Sequence, residues 1–361
     1  MNIDFHNAER LMHEAVAQGT FPGAVLLVSR EEGILLHRAF GMADLFHHRP
    51  MTCDTVFDLA SLTKPLATAL AVMLLVQQGR ISLDRPCQFY WPRFNGPGKE
   101  KITVRHLLSH CSGLPAWRPY YLHLSGSDSA RREALRRTVL AEPLSAVPGE
   151  RSEYSDIGFL VLQWMIEHMV GRTLDRFVEA SVYQPLGIDS LFFCARSRPV
   201  PRRDYAATEL CPLRGRLLNG EVHDDNAHLA GGVAGHAGLF GTAGAVWTVL
   251  HGLLSAEAGH QSPGLFESGW VRHFFERQGA GSWALGFDTP ADKESSAGSC
   301  FSAGSVGHLG YTGTSFWMDR TRGIIVILLS NRVHPSRYNT CIKAFRPRLH
   351  DAVMGALLAG R

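Results

Sequence analysis

One short stretch, Ser61 to Lys64, places a hydroxyl nucleophile and an amine three residues apart at the start of an apolar run. If a helix begins near Ser61, these two side chains lie on one helical face and within reach of each other. A serine hydroxyl needs an adjacent base at neutral pH, and a lysine serves as one if burial or a neighbouring cation lowers its pKa. Of the five lysines in the chain, Lys64 alone has a serine three residues before it. The stretch therefore predicts a lysine-activated serine, although a helix cap followed by a surface lysine has the same sequence.

The composition is that of an ordinary globular protein. The chain has 361 residues, of which 45% are hydrophobic and 19% charged, enough for one large domain or two lobes. The formal charge is only +3 and the arginines are scattered, so no electrostatic pattern favours nucleic acid as a partner. A small molecule is the expected partner, and nothing in the composition indicates an oligomeric state.

The N-terminus and the cysteines predict the cellular compartment of the protein. The N-terminus lacks a basic region followed by an apolar core, and the apolar runs 67–76 and 324–329 are shorter than a bilayer span. Seven widely spaced cysteines include no Cys-x-x-Cys pair, which favours reduced thiols over a disulfide framework. We therefore expect a cytoplasmic protein with no membrane partner.

Periodicity and turn residues predict strands near both ends and helices between them. Predicted strands are 24–29, 34–40, 307–310, 314–319 and 323–330, with a turn at 31–33; predicted helices are 4–17, 65–78, 104–109, 129–141, 157–170, 174–183, 243–255 and 338–358. The aperiodic stretch 196–241 is predicted to be a long loop, which is usually functional or disordered. The expected fold is α/β (α+β): an antiparallel sheet built from both chain termini and flanked by helices, with an inserted, mainly helical lobe. A single domain of 361 residues is expected, with a sheet lobe of about 1–58 and 275–361 and a helical lobe of about 59–274.

Three further segments have the composition of active-site loops. They are the turn-rich 148–156, the glycine-rich 231–240 and the strand edge 307–314, where a ligand could approach the backbone. Each also has a plain structural interpretation: an Asp156 helix cap with Tyr154 packed beside it, a flexible loop, and a tight turn between strands.

The order and spacing of these segments resemble the serine β-lactamase and penicillin-binding-protein superfamily. Its pattern of Ser-x-x-Lys, Tyr-x-Asn and Lys/His-x-Gly appears here at 61–64, 154–156 and 308–310. The segments 102–115, 220–240 and 328–335 are also similar, so the likeness extends from about residue 22 to residue 335. The closer resemblance is to class C-like β-lactamases, D-aminoacyl peptidases and related esterases.

The resemblance implies a role for each matching residue. Ser61 would form the acyl-enzyme, Lys64 would be a neutral base or an electrostatic partner, and Tyr154 would relay protons; which of the latter two is the base stays open. The backbone N–H groups of Ser61 and Tyr311 would form the oxyanion hole. The substrate would lie against the strand edge that includes Leu309 and Gly310.

Two departures from the pattern narrow the expected function. Asp156 replaces the usual asparagine, so an amide donor becomes an acceptor or a partner for Lys64. His308 replaces the lysine of β-lactamases, which weakens a fixed positive charge for a substrate carboxylate. Both changes favour an esterase or D-aminoacyl peptidase over a D-Ala-D-Ala carboxypeptidase or β-lactamase. A non-catalytic binding protein on the same fold is the alternative from another class, disfavoured because Ser61, Lys64 and Tyr154 are all present.

Histidines elsewhere admit more than one interpretation. His236 would line the substrate pocket or cap its own loop. His223 and His228, with the acids between them, have a spacing too unspecific to predict a metal site, and the superfamily uses no catalytic metal. No metal and no cofactor are therefore expected.

Overall fold

The main structural feature is a six-stranded antiparallel sheet whose strands come from the two ends of the chain. The computed structural model describes residues 3–31, 33–260, 264–279 and 281–359. In spatial order the sheet consists of β3 (Arg49–Pro50), β2 (Gly33–Asp44), β1 (Gly23–Arg30), β11 (Ile324–Ser330), β10 (Ser315–Asp319) and β9 (Val306–Leu309). The predicted antiparallel sheet built from both termini is confirmed.

The remaining strands are short, and most of the helices lie between β4 and β9. Short strands are β4 (Phe57–Asp58), β5 (Leu191–Phe193), β6 (Leu210–Cys211), β7 (Arg216–Leu217) and β8 (Leu239–Gly241); β4, β8 and β5 form a second sheet. The helices are α1 (His6–Ala17), α2 (Leu70–Gln77), α3 (Cys87–Tyr90), α4 (Val104–Leu108), α5 (Asp128–Ala141), α6 (Asp156–Val170), α7 (Leu174–Val178), α8 (Asp225–Leu229), α9 (Ala243–Glu257), α10 (Ser268–Phe275) and α11 (Ile342–Ala359). Turns of 3-10 helix occupy Ala60–Leu62, Lys99–Lys101 and Tyr120–Leu122, and π-helical turns occupy Lys64–Ala69 and Glu179–Tyr183.

Both faces of the main sheet are buried at its central strands. Along β1, Val25 and Leu27 belong to a core shared with the helical part of the chain, whereas Leu26 and Val28 belong to a second core with α1 and α11. Successive side chains of a strand point to opposite faces, so a strand covered on both faces is apolar at every position. This explains why the sequence around β1 is a continuous apolar run.

The segment that follows Ser61 is the most buried helical stretch of the fold. It begins as a 3-10 turn, continues as the π-helical turn and becomes α2, with Pro65 in its first turn as expected. The segment Ala60–Gln77 is long and apolar enough to cross a membrane, which corrects the expectation that the run 67–76 is too short to span one. Because 89% of it is buried inside the fold, it is a core helix here.

Several sequence predictions differ in detail from the structure. The predicted loop 196–241 contains β6, β7, α8 and β8, and α10 was not predicted at all. The last helix begins at Ile342 rather than 338, and Asn339, which precedes it, donates through its side chain to the backbone carbonyls of Gly19 and Thr20. Part of the predicted 31–33 turn, Glu32, lies outside the described residues, as do Met1 and Asn2. The two-lobe boundaries stay a prediction.

All seven cysteines are free thiols. Cys87, Cys194 and Cys211 are buried, and burial raises the pKa of Cys194 to about 12. A buried thiol of this kind is inert and packs as a small apolar side chain. The predicted cytoplasmic location stays a prediction.

Candidate active site

A strained turn presents Ser61. Ala60, directly before it, has φ of +47°, a left-handed conformation that costs an alanine about 1 kcal/mol. The buried Asp58 carboxylate holds this turn, because it accepts the Ala60 N–H at 2.9 Å and the His223 N–H at 2.7 Å. The backbone is thus fixed immediately before the nucleophile.

Lys64 is completely buried and its ammonium has an acceptor for each of its three N–H bonds. Nζ donates to Ser61 Oγ at 3.0 Å, to Asp156 Oδ1 at 2.6 Å and to the His236 carbonyl at 3.2 Å. Its side chain has no exposed area. The alternative interpretation, a solvated surface lysine after a helix cap, is therefore wrong.

The structure favours a charged Lys64 over a neutral one. Burial lowers its pKa, but the Asp156 carboxylate, followed by Tyr154, outweighs burial and leaves the pKa above the usual lysine value. The pKa of Lys64 is shifted in the direction opposite to the one that a neutral base needs, and the role of Lys64 stays a prediction. The other role left open in the sequence analysis, an electrostatic partner, agrees with this geometry.

Tyr154 and Asp156 reach Lys64 from the start of α6. Ser155, rather than Asp156, caps this helix, since its Oγ accepts the Gly158 N–H at 3.1 Å. Tyr154 therefore precedes the cap and Asp156 is the first helical residue. Asp156 pairs with Lys64, which is one of the two roles expected for it.

Aromatic rings enclose Tyr154. Lys64 Nζ lies 4.7 Å from the Tyr154 ring centroid, and the rings of His110 and Trp283 lie 4.6 and 5.2 Å from it. Burial raises the pKa of Tyr154, and the Asp156 charge adds to this, against the charge of Lys64 and hydrogen bonding to Lys64 and Ser61. The free enzyme therefore holds Tyr154 as a neutral phenol.

The strand edge after β9 lies opposite the Ser61 turn and is joined to it by hydroxyl groups. Thr312 Oγ1 donates to the Asp58 carbonyl at 2.7 Å, and Thr314 Oγ1 donates to the Leu59 carbonyl at 3.0 Å. A Cβ on Gly310 would lie 2.0 Å from Thr314 Oγ1, so only glycine permits this approach. These contacts fix the separation between the edge and the Ser61 turn.

Two backbone donors face this junction without a protein acceptor. Among the described residues, neither the Ser61 N–H nor the Tyr311 N–H is hydrogen-bonded. Unpaired backbone donors are uncommon in folded proteins and need an explanation. These are the two donors that the sequence analysis assigned to an oxyanion hole.

His308 is neutral in this site. Its Nδ1 lies 2.8 Å from the Leu309 carbonyl, so Nδ1 carries the proton and donates it. Burial and the Lys64 charge lower its pKa to about 3. His308 therefore supplies no fixed positive charge between pH 5 and 8, in line with the departure noted in the sequence.

His236 contacts the site through its backbone carbonyl, and its ring pairs with the carboxylate of Asp224. Its carbonyl accepts from Lys64, and its ring Nε2 lies 3.1 Å from Asp224 Oδ1. His223 pairs with Glu209, and His228 with Glu221. Over the described ranges no group of three or more His, Cys, Asp or Glu side chains is arranged to hold a metal ion.

The cleft extends from Ser61 in two directions, which we call the basic limb and the aromatic limb. The basic limb is a cavity of about 560 Å³, and the aromatic limb is one of about 380 Å³; Ser61, Tyr154 and Tyr311 line both. The basic limb also includes Trp283, Asp288, His308, Leu309, Gly310, Arg332, Arg337, Thr340, Ile342, Lys343 and Arg346. The aromatic limb also includes Ala60, Trp117, Tyr121, Asp156, His223, Asp224, Asp225, Asn226, Ala237 and Arg337. A separate cavity near α5 and α6, of about 500 Å³, lies away from Ser61.

Sequence reasoning missed several residues of this site. His110 accepts the Ser155 N–H at 3.0 Å and was not singled out from the sequence. Trp283 lies in a stretch without a motif, and Asp224 was considered only as a metal ligand. The available signals were the family-like segments 102–115, which contains His110, and 220–240, which contains Asp224.

The fold and this serine, lysine and tyrosine arrangement define a class: serine hydrolases of penicillin-binding-protein-like architecture. The chain matches the family model described as beta-lactamase over residues 8–344. It therefore belongs to the β-lactamase family and is a serine hydrolase, so the non-catalytic alternative is set aside.

Curated relatives and solved structures agree with this membership. Proteins of Salmonella agona and Salmonella typhi, each described as "Putative D-alanyl-D-alanine carboxypeptidase", are 31% identical to the chain, with 87% of it and 79% of each relative covered. EstCE1, a hydrolase with promiscuous acyltransferase activity, has the same fold (TM-score 0.75, 21% identity, 96% of this chain and 97% of that one). So does an octameric penicillin-binding protein homologue from Pyrococcus abyssi (TM-score 0.74, 22% identity, 99% and 78%).

The buried pair of Lys64 and Asp156 should stabilise the fold measurably. The pKa of Lys64 is raised, so its stabilising contribution is complete below the usual lysine value of 10.5 and is lost as the pH rises through the higher folded value. At pH 7 we expect a double-mutant cycle of Lys64→Met and Asp156→Asn to give a coupling of about 2 kcal/mol in the free energy of unfolding. Urea denaturation measures it.

The matched control for this cycle is the surface pair Arg10 and Glu14, whose side chains are 52% and 40% exposed. Exposed pairs of this kind contribute about 0.5 kcal/mol or less. A Lys64–Asp156 coupling no larger than the control would contradict a charged, stabilising pair.

Proposed function

We propose that this protein hydrolyses small esters and amides through an acyl-enzyme on Ser61. The observation that carries the proposal is the Lys64 ammonium, which is buried and donates to Ser61 Oγ at 3.0 Å. Its positive charge favours the negative charge that develops on the serine oxygen during attack. Lys64 is an electrostatic partner in this scheme, and it keeps its proton.

Tyr154 moves the proton. During acylation the Ser61 hydroxyl proton passes to the Tyr154 oxygen as the phenol proton passes to the leaving group. The Ser61–carbonyl bond forms and the bond to the leaving group then breaks. During deacylation a water molecule takes the place of the leaving group, and the same transfers run in reverse. In this path the Tyr154 phenol does not have to lose its proton before the reaction begins, which agrees with its raised pKa.

The Ser61 and Tyr311 N–H groups stabilise the oxyanion that forms on the carbonyl oxygen. Both donors are unpaired among the described residues, and the Thr312 and Thr314 contacts to the Ser61 turn hold their separation. A preorganised donor of this kind supplies roughly 3 kcal/mol of transition-state stabilisation. This supports acyl transfer over chemistry without a tetrahedral intermediate.

Esters and short amides are the leading substrates. Neutral His308 and the replacement of an amide donor by Asp156 both remove features that the superfamily pattern offers to a β-lactam. The Asp156 carboxylate is engaged by Lys64 and does not donate to a substrate carbonyl. A β-lactam is therefore the less favoured target.

A carboxypeptidase is the second candidate, and the basic limb favours it. This limb includes four cationic side chains, Arg332, Arg337, Lys343 and Arg346, and one acid, Asp288. Arg337 is paired with Glu209 and Asp225, which leaves three cations without a carboxylate partner among the described residues. Burial raises the pKa of Asp288 to about 6, which weakens its opposing charge. A leaving group with a free carboxylate, as in a peptide C-terminus, suits such a surface. The names of the curated relatives point the same way.

One labelling experiment tests the proposal. Wild type and Ser61→Ala are incubated with a fluorophosphonate, a p-nitrophenyl ester and a fluorescent penicillin, and intact masses are recorded. We expect a fluorophosphonate adduct on wild type only. An adduct that persists in Ser61→Ala would refute Ser61 as the nucleophile.

The same data separate the two candidates. Rapid ester turnover without a penicillin adduct supports the ester and amide hydrolase. A slow, stable penicillin adduct supports the carboxypeptidase. A protein inert toward all three reagents would overturn both.

A further inference from the structure

The aromatic limb contains one carboxylate whose charge is not cancelled. Of its three aspartates, Asp156 pairs with Lys64, and Asp225 lies between Arg214 at 2.8 Å and Arg337 at 3.3 Å. Within the described ranges, Asp224 forms an ion pair with His236 and with no other side chain. The net charge of the aromatic limb therefore depends on whether Asp224 and His236 are protonated.

His236 does not neutralise Asp224. Its ring is almost completely buried, Nε2 donates to Asp224 Oδ1, and Nδ1 has no hydrogen-bond partner among the described residues. A protonated imidazole would carry a buried, unpaired N–H at Nδ1, whereas the neutral ring leaves only a lone pair there. The neutral form therefore fits the surroundings, and Asp224 keeps a net negative charge.

Half of the Asp224 carboxylate is available to a ligand. Oδ1 accepts from both His236 and the Ala227 N–H, the latter at 2.7 Å, while Oδ2 has no partner within the described part of the chain. The side chain is 27% exposed and lines the same cavity as Ser61. The N–H groups of His236 and Ala227 both donate to this carboxylate and favour its ionised form.

Two aromatic faces lie in the same limb. Trp117 is exposed and Tyr121 is half-buried, with ring centroids 6.4 Å apart. Asn226 fixes this wall against the Asp224 segment, because it accepts the Tyr121 N–H at 3.2 Å and donates to the Arg118 carbonyl at 2.8 Å. Aromatic faces beside a free carboxylate oxygen attract a cation and not an anion.

We propose that the aromatic limb binds an ammonium group on the acyl part of the substrate, through Asp224 Oδ2 and the Trp117 and Tyr121 rings. The inference rests on the proposed function, since it assigns the acyl group to this limb and the leaving group to the basic limb. The substrate class is then an aminoacyl ester or amide with a free amine. Asp224 is the specificity-determining residue.

Two boronic acids that differ only in the charged group test this inference. 1-Aminoethylboronic acid carries an ammonium where isopropylboronic acid carries a methyl group, and both form a tetrahedral adduct with an active serine. Their inhibition constants are measured against p-nitrophenyl acetate hydrolysis by wild type. We expect the ammonium compound to inhibit at least about tenfold more strongly.

Asp224→Asn removes the charge and keeps the shape. An asparagine oxygen still accepts from His236 and from the Ala227 N–H, so the loop is retained. The ratio of the two inhibition constants should fall by about tenfold relative to wild type, and any preference that remains reflects the effect of an α-ammonium group on the acidity of boron. Asp189→Asn, which removes one negative charge from an 84% exposed side chain, should keep the wild-type ratio.

The outcomes separate the inference from the function on which it rests. Ester turnover that Ser61→Ala abolishes, together with equal inhibition of wild type by both compounds, overturns the ammonium site alone. A preference in Asp224→Asn as large as that of wild type overturns the role of Asp224. No ester turnover by wild type overturns the proposed function itself.

Discussion

Lys64→Met is expected to lower kcat/KM for a p-nitrophenyl ester by roughly a thousandfold. Methionine fills a similar volume but removes the charge that Ser61 Oγ and the Tyr154 ring face, 3.0 and 4.7 Å from Nζ. It also leaves the Asp156 carboxylate in a partly buried site without its partner. Steady-state kinetics at pH 7 measure the loss, with Lys101→Met as the control because that lysine is exposed and outside the cleft.

A second variant separates catalysis from stability. In Lys64→Met with Asp156→Asn the unpaired carboxylate is gone, so the free energy of unfolding should recover part of what Lys64→Met lost. The activity should stay low, because no cation faces Ser61. Recovered activity in this double variant would mean that Lys64 does no more than neutralise Asp156.

Much of the fold was accessible from local sequence patterns. The hairpin of β1 and β2, the three C-terminal strands and the helix after Ser61 follow from short-range periodicity and from turn residues such as Pro65. The short elements within 196–241 were missed because two-residue strands and a five-residue helix carry too few residues for a periodic signal. Tertiary contacts form them: β8, for example, lies between β4 and β5.

The charge state of the site was not accessible in the same way. Whether Lys64 is neutral or charged depends on Asp156, which is 92 residues away in sequence and 2.6 Å away in space. The resemblance to the superfamily located both residues. It did not indicate whether burial, which lowers the pKa of Lys64, or the ion pair with Asp156, which raises it, has the larger effect. The enclosure of Tyr154 by His110 and Trp283 depends likewise on segments that meet only in the folded chain.

The remaining large effect concerns Tyr154. We expect Tyr154→Phe to lower kcat/KM by roughly 10²- to 10⁴-fold, because the phenol oxygen that carries the Ser61 proton is lost while the ring still packs against His110 and Trp283. The fluorophosphonate adduct on Ser61 should form more slowly and still reach completion. Normal ester kinetics in this variant would show that another group moves the proton.

The pH profile of wild type distinguishes how Tyr154 acts. The pKa of Lys64 and that of Tyr154 are both raised above their usual values, so both groups stay protonated from pH 6 to pH 9. His308, with a pKa of about 3, stays neutral over the same interval. We therefore expect kcat/KM for a neutral ester to be nearly flat there, since the neutral phenol is the active form. A tenfold rise per pH unit within this interval would instead require a base that loses its proton first, and would replace the neutral tyrosine by a phenolate or a free amine.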